Sequence, residues 1–361
     1  MTASPTPTAP LGLNVSSRSP GSRAIEGTIS GIAFPCAHPF GCGAQWLRMM
    51  PRNSLTVAGA APEWQAGYAP CMRHRLPEHL TTKGTLGKRL VPVNARQCTE
   101  PRYYCAMPSR ELSAALEAAR AAAEVIQASY RRNLAVTLKA DRSPVTAADL
   151  EAERVIRAVL SAHFPDYGFY GEETGQHAMD AGNVWLVDPI DGTKSFVRDC
   201  PFFSTQIALR RAGRLVLGVS SAPAYGELAW AEEGGGAFLD GQAIHVSAVS
   251  SLSEAILSTG NLRTLAAAPA GWSRFGTLVG QVNRLRGYGD FLHYHLLARG
   301  SLEAVIESDV NILDVAALSV IVREAGGVFT DLEGREIDLG TTTVLAGNAA
   351  LHARFLAAMQ G

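Results

Sequence analysis

Trp185-Leu-Val-Asp188-Pro-Ile-Asp191-Gly-Thr193 is the stretch on which the reading of this chain turns. Val184 to Val187 form a short apolar run that reads as a strand, and the run ends directly on an acid. Pro189 fixes its own φ and has no N–H, which stiffens the turn expected there. Gly192 permits a sharp exit. Carboxylates three apart in such a turn can converge on one point, and the Ile190 carbonyl between them can join the same cluster. Hard oxygen ligands at this density suit Mg²⁺. An isolated Asp-x-x-Asp would favour the other reading, an Asx-type turn in which the acid caps backbone N–H groups. The complete string Asp-Pro-Ile-Asp-Gly-Thr favours the metal.

Outward from this stretch, other acids fall at the ends of elements in the same way. Gly171-Glu172-Glu173 follows the strand-like Phe169-Tyr170, and Leu313-Asp314-Val-Ala-Ala opens a helix. Ser204 to Leu209, Leu215 to Val219 and Glu227 to Ala231 read as successive strands, with turns at Gly213 and at Pro223 to Gly226. Leu112, Leu116, Ala119, Ala123, Ile126 and Tyr130 are the stripe of a helix packed on a core. A second helix is expected to start at Thr146, where Thr146 and Asp149 have capping-box spacing and Ala152, Val155, Ile156 and Val159 form the inner face. A third covers Ala316 to Ala325 and stops at Gly326-Gly327. No internal repeat is evident. Two helices, a run of strands and then mixed elements predict layered sheets and helices rather than a strict βαβ succession.

The chain has 361 residues and a formal net charge of −1, which conceals two unlike parts. Residues 1–106 hold 11 Lys or Arg, 4 Glu and no Asp, a formal +7 that leaves −8 for the remainder. An acidic domain argues against nucleic acid, yet it can bind a phosphate ester when divalent cations sit between the two. No stretch approaches the roughly 20 uninterrupted apolar residues of a membrane span. No ordinary secretory signal is read at the N-terminus. Cys200 stands alone after five earlier cysteines, so the acidic part cannot form an internal disulfide. This fits a reducing compartment, and the expected location is cytoplasmic.

Residues 1–106 are rich in Pro, Gly, Ser and Arg and show no sustained periodicity. They read as a poorly ordered extension, or as upstream sequence joined by a mis-assigned start ahead of Met107. A targeting segment is a weaker reading. Zinc at Cys36, His38, Cys42, Cys71 and His74 matches no standard ligand spacing. The expected division places one folded domain at 107–361, with a metal-binding half at 107–247 and a C-terminal half at 248–361.

Gly171-Glu-Glu, the Trp185 to Thr193 string, and Asp314-x-Ala-Ala with Glu324-Ala-Gly-Gly327 together resemble the signature of the inositol monophosphatase family. The resemblance runs from about Met107 to the C-terminus. It implies an α+β fold, the layered α-β-α-β-α sandwich shared with fructose-1,6-bisphosphatases. It also implies two or three Mg²⁺ ions and a homodimer. Carried onto this sequence, Glu172, Asp188 and the Ile190 carbonyl would bind one metal, and Asp188, Asp191 and Asp314 a second. Asp149 matches an acid near a third, weaker metal, although a helix-capping role stays open for it. Thr193 would help Glu172 orient the attacking water. Gly192 and Thr193 would offer N–H groups to the phosphate at the start of a helical segment. Glu307 matches an acid that binds the substrate's hydroxyls or amine. Leu313 stands where the family usually has Trp, so the packing that aims Asp314 is expected to differ. Asp314 as a mere N-cap is the competing reading.

The implied reaction is hydrolysis of a phosphomonoester by metal-activated water, with no covalent phosphoenzyme. Ser195 and Cys200 make poor nucleophiles, because no His in the motif stands ready as a base. Arg286-Gly-Tyr-Gly-Asp290-Phe291 resembles the histidinol-phosphate phosphatase branch, in which an extra acid beside Glu307 would suit an ammonium group. A loop hydrogen bond is the plain alternative for Asp290. Inositol monophosphate remains a comparable substrate. A 3′-phosphoadenosine or sugar bisphosphatase is the alternative within the class, and a weakly active metal-binding regulator is the alternative outside it.

Overall fold

Ser109 accepts a hydrogen bond from Leu112 N at 3.0 Å, so helix α1 (Arg110–Ser129) begins with its cap in place. The computed structural model describes residues 108–132, 136–138 and 144–361. The expectations for residues 1–106, including the zinc reading, lie outside the described residues. A short antiparallel pair, β1 (Val136–Leu138) and β2 (Pro144–Thr146), leads into helix α2 (Ala147–His163). Thr146 and Asp149 form the predicted capping box.

A large sheet follows: β3 (Gly168–Gly171), β4 (Gly175–His177), β5 (Asn183–Asp191), a short helix α3 (Thr193–Val197), then β6 (Ser204–Arg211), β7 (Arg214–Ala222), β8 (Glu227–Glu232), β9 (Gly236–Leu239) and β10 (Gln242–Ile244). Its spatial order is β10-β9-β8-β7-β6-β5-β3-β4. Every pairing is antiparallel except β3 with β5. The second half contains β11 (Ile256–Thr259), α4 (Arg263–Ala267), α5 (Pro269–Val279), β12 (Arg284–Arg286), α6 (Asp290–Ala298), β13 (Ala304–Ser308), α7 (Ile312–Glu324), β14 (Gly327–Thr330), β15 (Thr343–Asn348) and α8 (His352–Gln360). Its five strands run in the order β12-β11-β13-β15-β14.

Strand alternation decides how these elements stack. On β5, Trp185 and Val187 pack with Leu112, Ile126, Ile156 and Leu160 of the first two helices. Val184 and Leu186, on the opposite face, pack with Phe291, Leu292 and the apolar side of α7. Val305 and Val344 join this middle layer from the smaller sheet. Ala304, Ile306 and Leu345 point the other way and meet Phe275, Leu278 and Phe355 of the outer helices. The layers are therefore helix, sheet, helix, sheet, helix, as expected. A strand buried on both faces reads as a continuous apolar run, which is why Val184 to Val187 shows no polar alternation. Among the described residues, no helix is long and apolar enough to cross a membrane.

Two local expectations shift. The third helix starts at Ile312, one residue ahead of the Leu313-Asp314 opening read from the sequence, because Asn311 caps it by accepting from Leu313 N at 2.7 Å and Asp314 completes a capping box. The expected turn at Asp188–Asp191 is the last part of a nine-residue strand that carries a register irregularity.

Candidate metal centre

Asp188 lies opposite Gln206 on β6, and Asp191 lies opposite Ser204. The chain thus advances three residues on β5 against two on its partner, which is a β-bulge. Residues three apart on a regular strand face opposite sides; the extra residue brings both carboxylates to the same side. Pro189 is tolerated here because a bulge leaves its missing N–H unneeded. Asp188 Oδ1 accepts Ile190 N at 3.0 Å, and Thr205 Oγ1 donates to the Pro189 carbonyl at 2.8 Å, so the irregular backbone is held from both sides. Gly192 then takes φ +85°, with the Phe202 carbonyl only 2.7 Å from where a Cβ would sit. No other residue fits both conditions without strain.

Three further segments close on this point. Parallel pairing sets Gly171 opposite Val187, and Glu172 N donates to the Val187 carbonyl at 3.1 Å, so Glu172 emerges beside Asp188. Asp314 arrives from the first turn of α7, aimed by Asn311, whose N–H and side-chain amide donate to its two carboxylate oxygens at 2.9 and 2.7 Å. Leu313, the departure noted in the sequence, is buried in the middle layer and leaves that aiming to Asn311. Carboxylate oxygens of Asp188, Asp191 and Asp314 all lie within 4.8 Å of one another. Asp149 does two jobs at once: it completes its capping box, and its Oδ1 accepts Thr193 Oγ1 at 3.3 Å. The Ile190 carbonyl also accepts Thr193 Oγ1, at 3.0 Å.

The charges are crowded enough to resist ionisation. Burial, followed by the like charges of Glu172, Asp191 and Asp314, raises Asp188 well above the aspartate range. Burial, followed by Asp290 and Asp314, does the same to Asp191. Asp314 is pushed up to about 7, mainly by burial and then by Glu172 and Glu307, against the lowering effect of Asn311. Burial raises Asp149 as well, with Glu172 adding to it. An all-oxygen, partly desolvated and mutually repelling donor set fits a hard divalent cation, which supplies the missing counter-charge.

Beside the cluster, a pocket partly open to solvent joins Asp191 and Asp314 to Asn261, Asp290, Tyr294 and Glu307. Asp290 starts α6 at φ +45° and is raised to about 6 by burial and by Glu307. Glu307 behaves oppositely. Burial alone would raise it, but His293 at 3.0 Å, Tyr294 Oη at 2.7 Å and Asn261 N at 3.1 Å hold it below the usual glutamate value. These three partners escape sequence reasoning. His293 and Tyr294 sit in an apolar helix, and Asn261 lies in a loop some 46 residues from the acid it contacts.

A second unread network reaches Asp191 from behind. Arg299 and His295 hold the two oxygens of Glu227 at 2.7 and 2.9 Å, and His295 Nε2 meets Ser220 Oγ at 2.9 Å. The Gln206 amide bridges Ser220 at 3.1 Å and Ser204 at 2.7 Å, and Ser204 Oγ lies 3.4 Å from Asp191 Oδ2. Glu153, fully buried on α2, is the other acid that the sequence did not single out. Its signal was available, since it lies one helical turn beyond Asp149 on the same face.

Comparison with known proteins agrees with this geometry. Residues 107–361 match the inositol monophosphatase family. A histidinol-phosphatase from Chlorobaculum parvum is 37% identical over 250 residues, covering 69% of this chain and 96% of the relative. An inositol-1-monophosphatase from Rhizobium meliloti is 37% identical over 226 residues, covering 60% of this chain and 83% of the relative. Among solved structures, the extragenic suppressor protein suhB from Bartonella henselae superposes with a TM-score of 0.65 at 32% identity, covering 70% of this chain and 99% of that one. With its motifs, layers and acidic cluster all in agreement, the chain belongs to the inositol monophosphatase family.

Proposed function

We propose that this chain is a Mg²⁺-dependent phosphomonoesterase acting on a small phosphorylated metabolite, with histidinol phosphate as the favoured substrate and inositol monophosphate as the second. The observation that carries the reading is the convergence of Asp188, Asp191 and Asp314 within 4.8 Å, next to a cavity lined by two further acids. Asp188, Asp191, Asp314, Glu172 and the Ile190 carbonyl are the groups that hold the ions, with Asp149 near a weaker one. Bound Mg²⁺ would supply an activated water and neutralise charge on the phosphoryl oxygens.

The protein's own residues do the positioning. Thr193 Oγ1 has one proton to give, to Ile190 O or to Asp149 Oδ1. Its lone pairs can then accept a hydrogen bond from the attacking water, which Glu172 helps to orient. The N–H groups of Gly192 and Thr193 would face a bound phosphate. Their placement matters more than their strength, because catalysis of this reaction is mostly positioning and electrostatics.

Substrate choice rests on Asp290 and Glu307, which share the cavity wall. Two carboxylates there favour a leaving group that carries an ammonium. A polyol such as inositol would use Glu307 and gain little from Asp290. The test measures phosphate release by the full-length chain from histidinol phosphate, inositol 1-phosphate, fructose 1,6-bisphosphate and 3′-phosphoadenosine 5′-phosphate. Each is run with Mg²⁺ and with EDTA. Turnover that survives EDTA, or no turnover of any ester with Mg²⁺, overturns the proposal.

A further inference from the structure

Helix α2 turns two buried acids, Asp149 and Glu153, toward the centre, and both are wholly inaccessible to solvent. Asp149 reaches Thr193, at the end of the Asp-Pro-Ile-Asp-Gly-Thr string. Glu153 reaches the other ligand-bearing segment, the turn between β3 and β4. Its Oε2 accepts Glu173 N at 2.7 Å, and its Oε1 accepts Thr174 N at 2.9 Å. A carboxylate that receives two backbone N–H groups, one per oxygen, is a charge-assisted and directional clasp. It grips the two residues immediately after Glu172.

The residue immediately before Glu172 is shaped by the same group. Gly171 packs directly against the Glu153 carboxylate, and a Cβ at that position would collide with both of its oxygens. Glu172 is therefore bracketed: Gly171 lies flush on Glu153, Glu173 and Thr174 are bonded to it, and Glu172 N is tied to the Val187 carbonyl. Displacing this turn would strip a fully buried carboxylate of two hydrogen bonds, a costly change. The turn is thus fixed by α2, and its glutamate arrives beside Asp188 already aimed.

We propose that Glu153 is a positioning residue for Glu172, setting the affinity of the centre for divalent ions without touching ion or substrate. The inference rests on the metal reading above. Asp149 and Glu153 together make one turn of α2 a common anchor for both loops that carry the candidate ligands. Groups behind metal ligands commonly change affinity 10- to 100-fold when altered.

The test uses the full-length chain and Mn²⁺ as the probe, with binding measured by electron paramagnetic resonance in the absence of substrate. Glu153→Gln keeps the side chain's volume but turns an amide N–H toward one of the two backbone donors. Expected is at least about tenfold weaker Mn²⁺ binding, with the Mg²⁺ activation constant rising in parallel and KM at saturating Mg²⁺ within about twofold of wild type. Glu151→Gln, on the exposed side of the same helix, should leave binding unchanged. A folded Glu153→Gln protein that binds Mn²⁺ like wild type overturns the inference while leaving the metal reading intact. A wild type that binds no Mn²⁺ overturns the metal reading and this role with it.

Should Glu153→Gln fail to fold, hydrogen exchange on the wild type decides. The amides of Glu173 and Thr174 should be protected at least about a hundredfold without metal, and Mn²⁺ should slow them further. Exchange near the rate of an exposed turn, or protection indifferent to Mn²⁺, counts against the clasp.

Discussion

Removing the divalent ion should destabilise the protein by an amount that depends on pH. In the metal-free centre Asp314 is raised to about 7, against 3.8 for an ordinary aspartate. The folded, metal-free protein therefore keeps a proton there that the unfolded chain has released. By linkage, this group's contribution falls as pH rises from about 4 towards 7, and it is level beyond that. An ion binding to the carboxylate must first displace that proton. At 1.36 kcal/mol per pK unit, the displacement costs about 2 kcal/mol at pH 5.5 and almost nothing at pH 7.5. Asp188 and Asp191, also raised, act in the same direction. His295 and His352, lowered by burial, oppose it: the unfolded chain protonates them first as pH falls, so they favour the folded state as pH rises through about 6.5. They act alike with and without the ion, so the comparison to make is a difference. Thermal unfolding in saturating Mg²⁺ minus that in EDTA should be larger at pH 7.5 than at pH 5.5 by about 2 kcal/mol, or roughly 4–8 °C for a domain of this size. An equal Mg²⁺ effect at both pH values, or a larger one at pH 5.5, would refute a centre built from raised carboxylates.

Other outcomes follow from single contacts. Asp188→Asn should reduce Mg²⁺-dependent phosphate release at least about a hundredfold, since it removes the acid assigned to both ions; a few per cent of wild-type turnover would contradict the mechanism. Asp290→Asn should lower kcat/KM for histidinol phosphate about 10- to 100-fold, the value of a charge-assisted hydrogen bond, and leave inositol 1-phosphate within about threefold. Equal losses on both esters would deny Asp290 a part in selectivity. Tyr294→Phe leaves the buried Glu307 carboxylate one donor short, and urea denaturation should show a loss of about 1–3 kcal/mol. Gly192→Ala forces φ +85° on a residue with a Cβ and drives that Cβ towards the Phe202 carbonyl. It should cost at least about 1 kcal/mol in the same assay.

Much of the molecule could be read along the chain because its signals are local. The stripe from Leu112 to Ile126, the Thr146–Asp149 capping box and the apolar run Val184 to Val187 each declare an element within a few residues. The ligand candidates could be read for the same reason: Glu172, Asp188, Asp191 and Asp314 stand inside short strings whose order is specific. What stayed hidden was pairing across the fold. Nothing local tells what Glu153 pairs with, yet its carboxylate holds Glu173 and Thr174, some 20 residues away. His293 and Tyr294 sit in an apolar helix, and only the fold brings Glu307 to both of them.

Residue type and short-range spacing were enough to name the groups that could hold a cation and a phosphate, because they fix chemistry and local backbone. How those groups meet was left to the packing of the whole domain. The bulge turned Asp188 and Asp191 to one side, Asn311 aimed Asp314 in place of an aromatic neighbour, and α2 anchored both ligand loops. Register, burial and long-range hydrogen bonds depend on which distant segments pack together, and no local pattern records that.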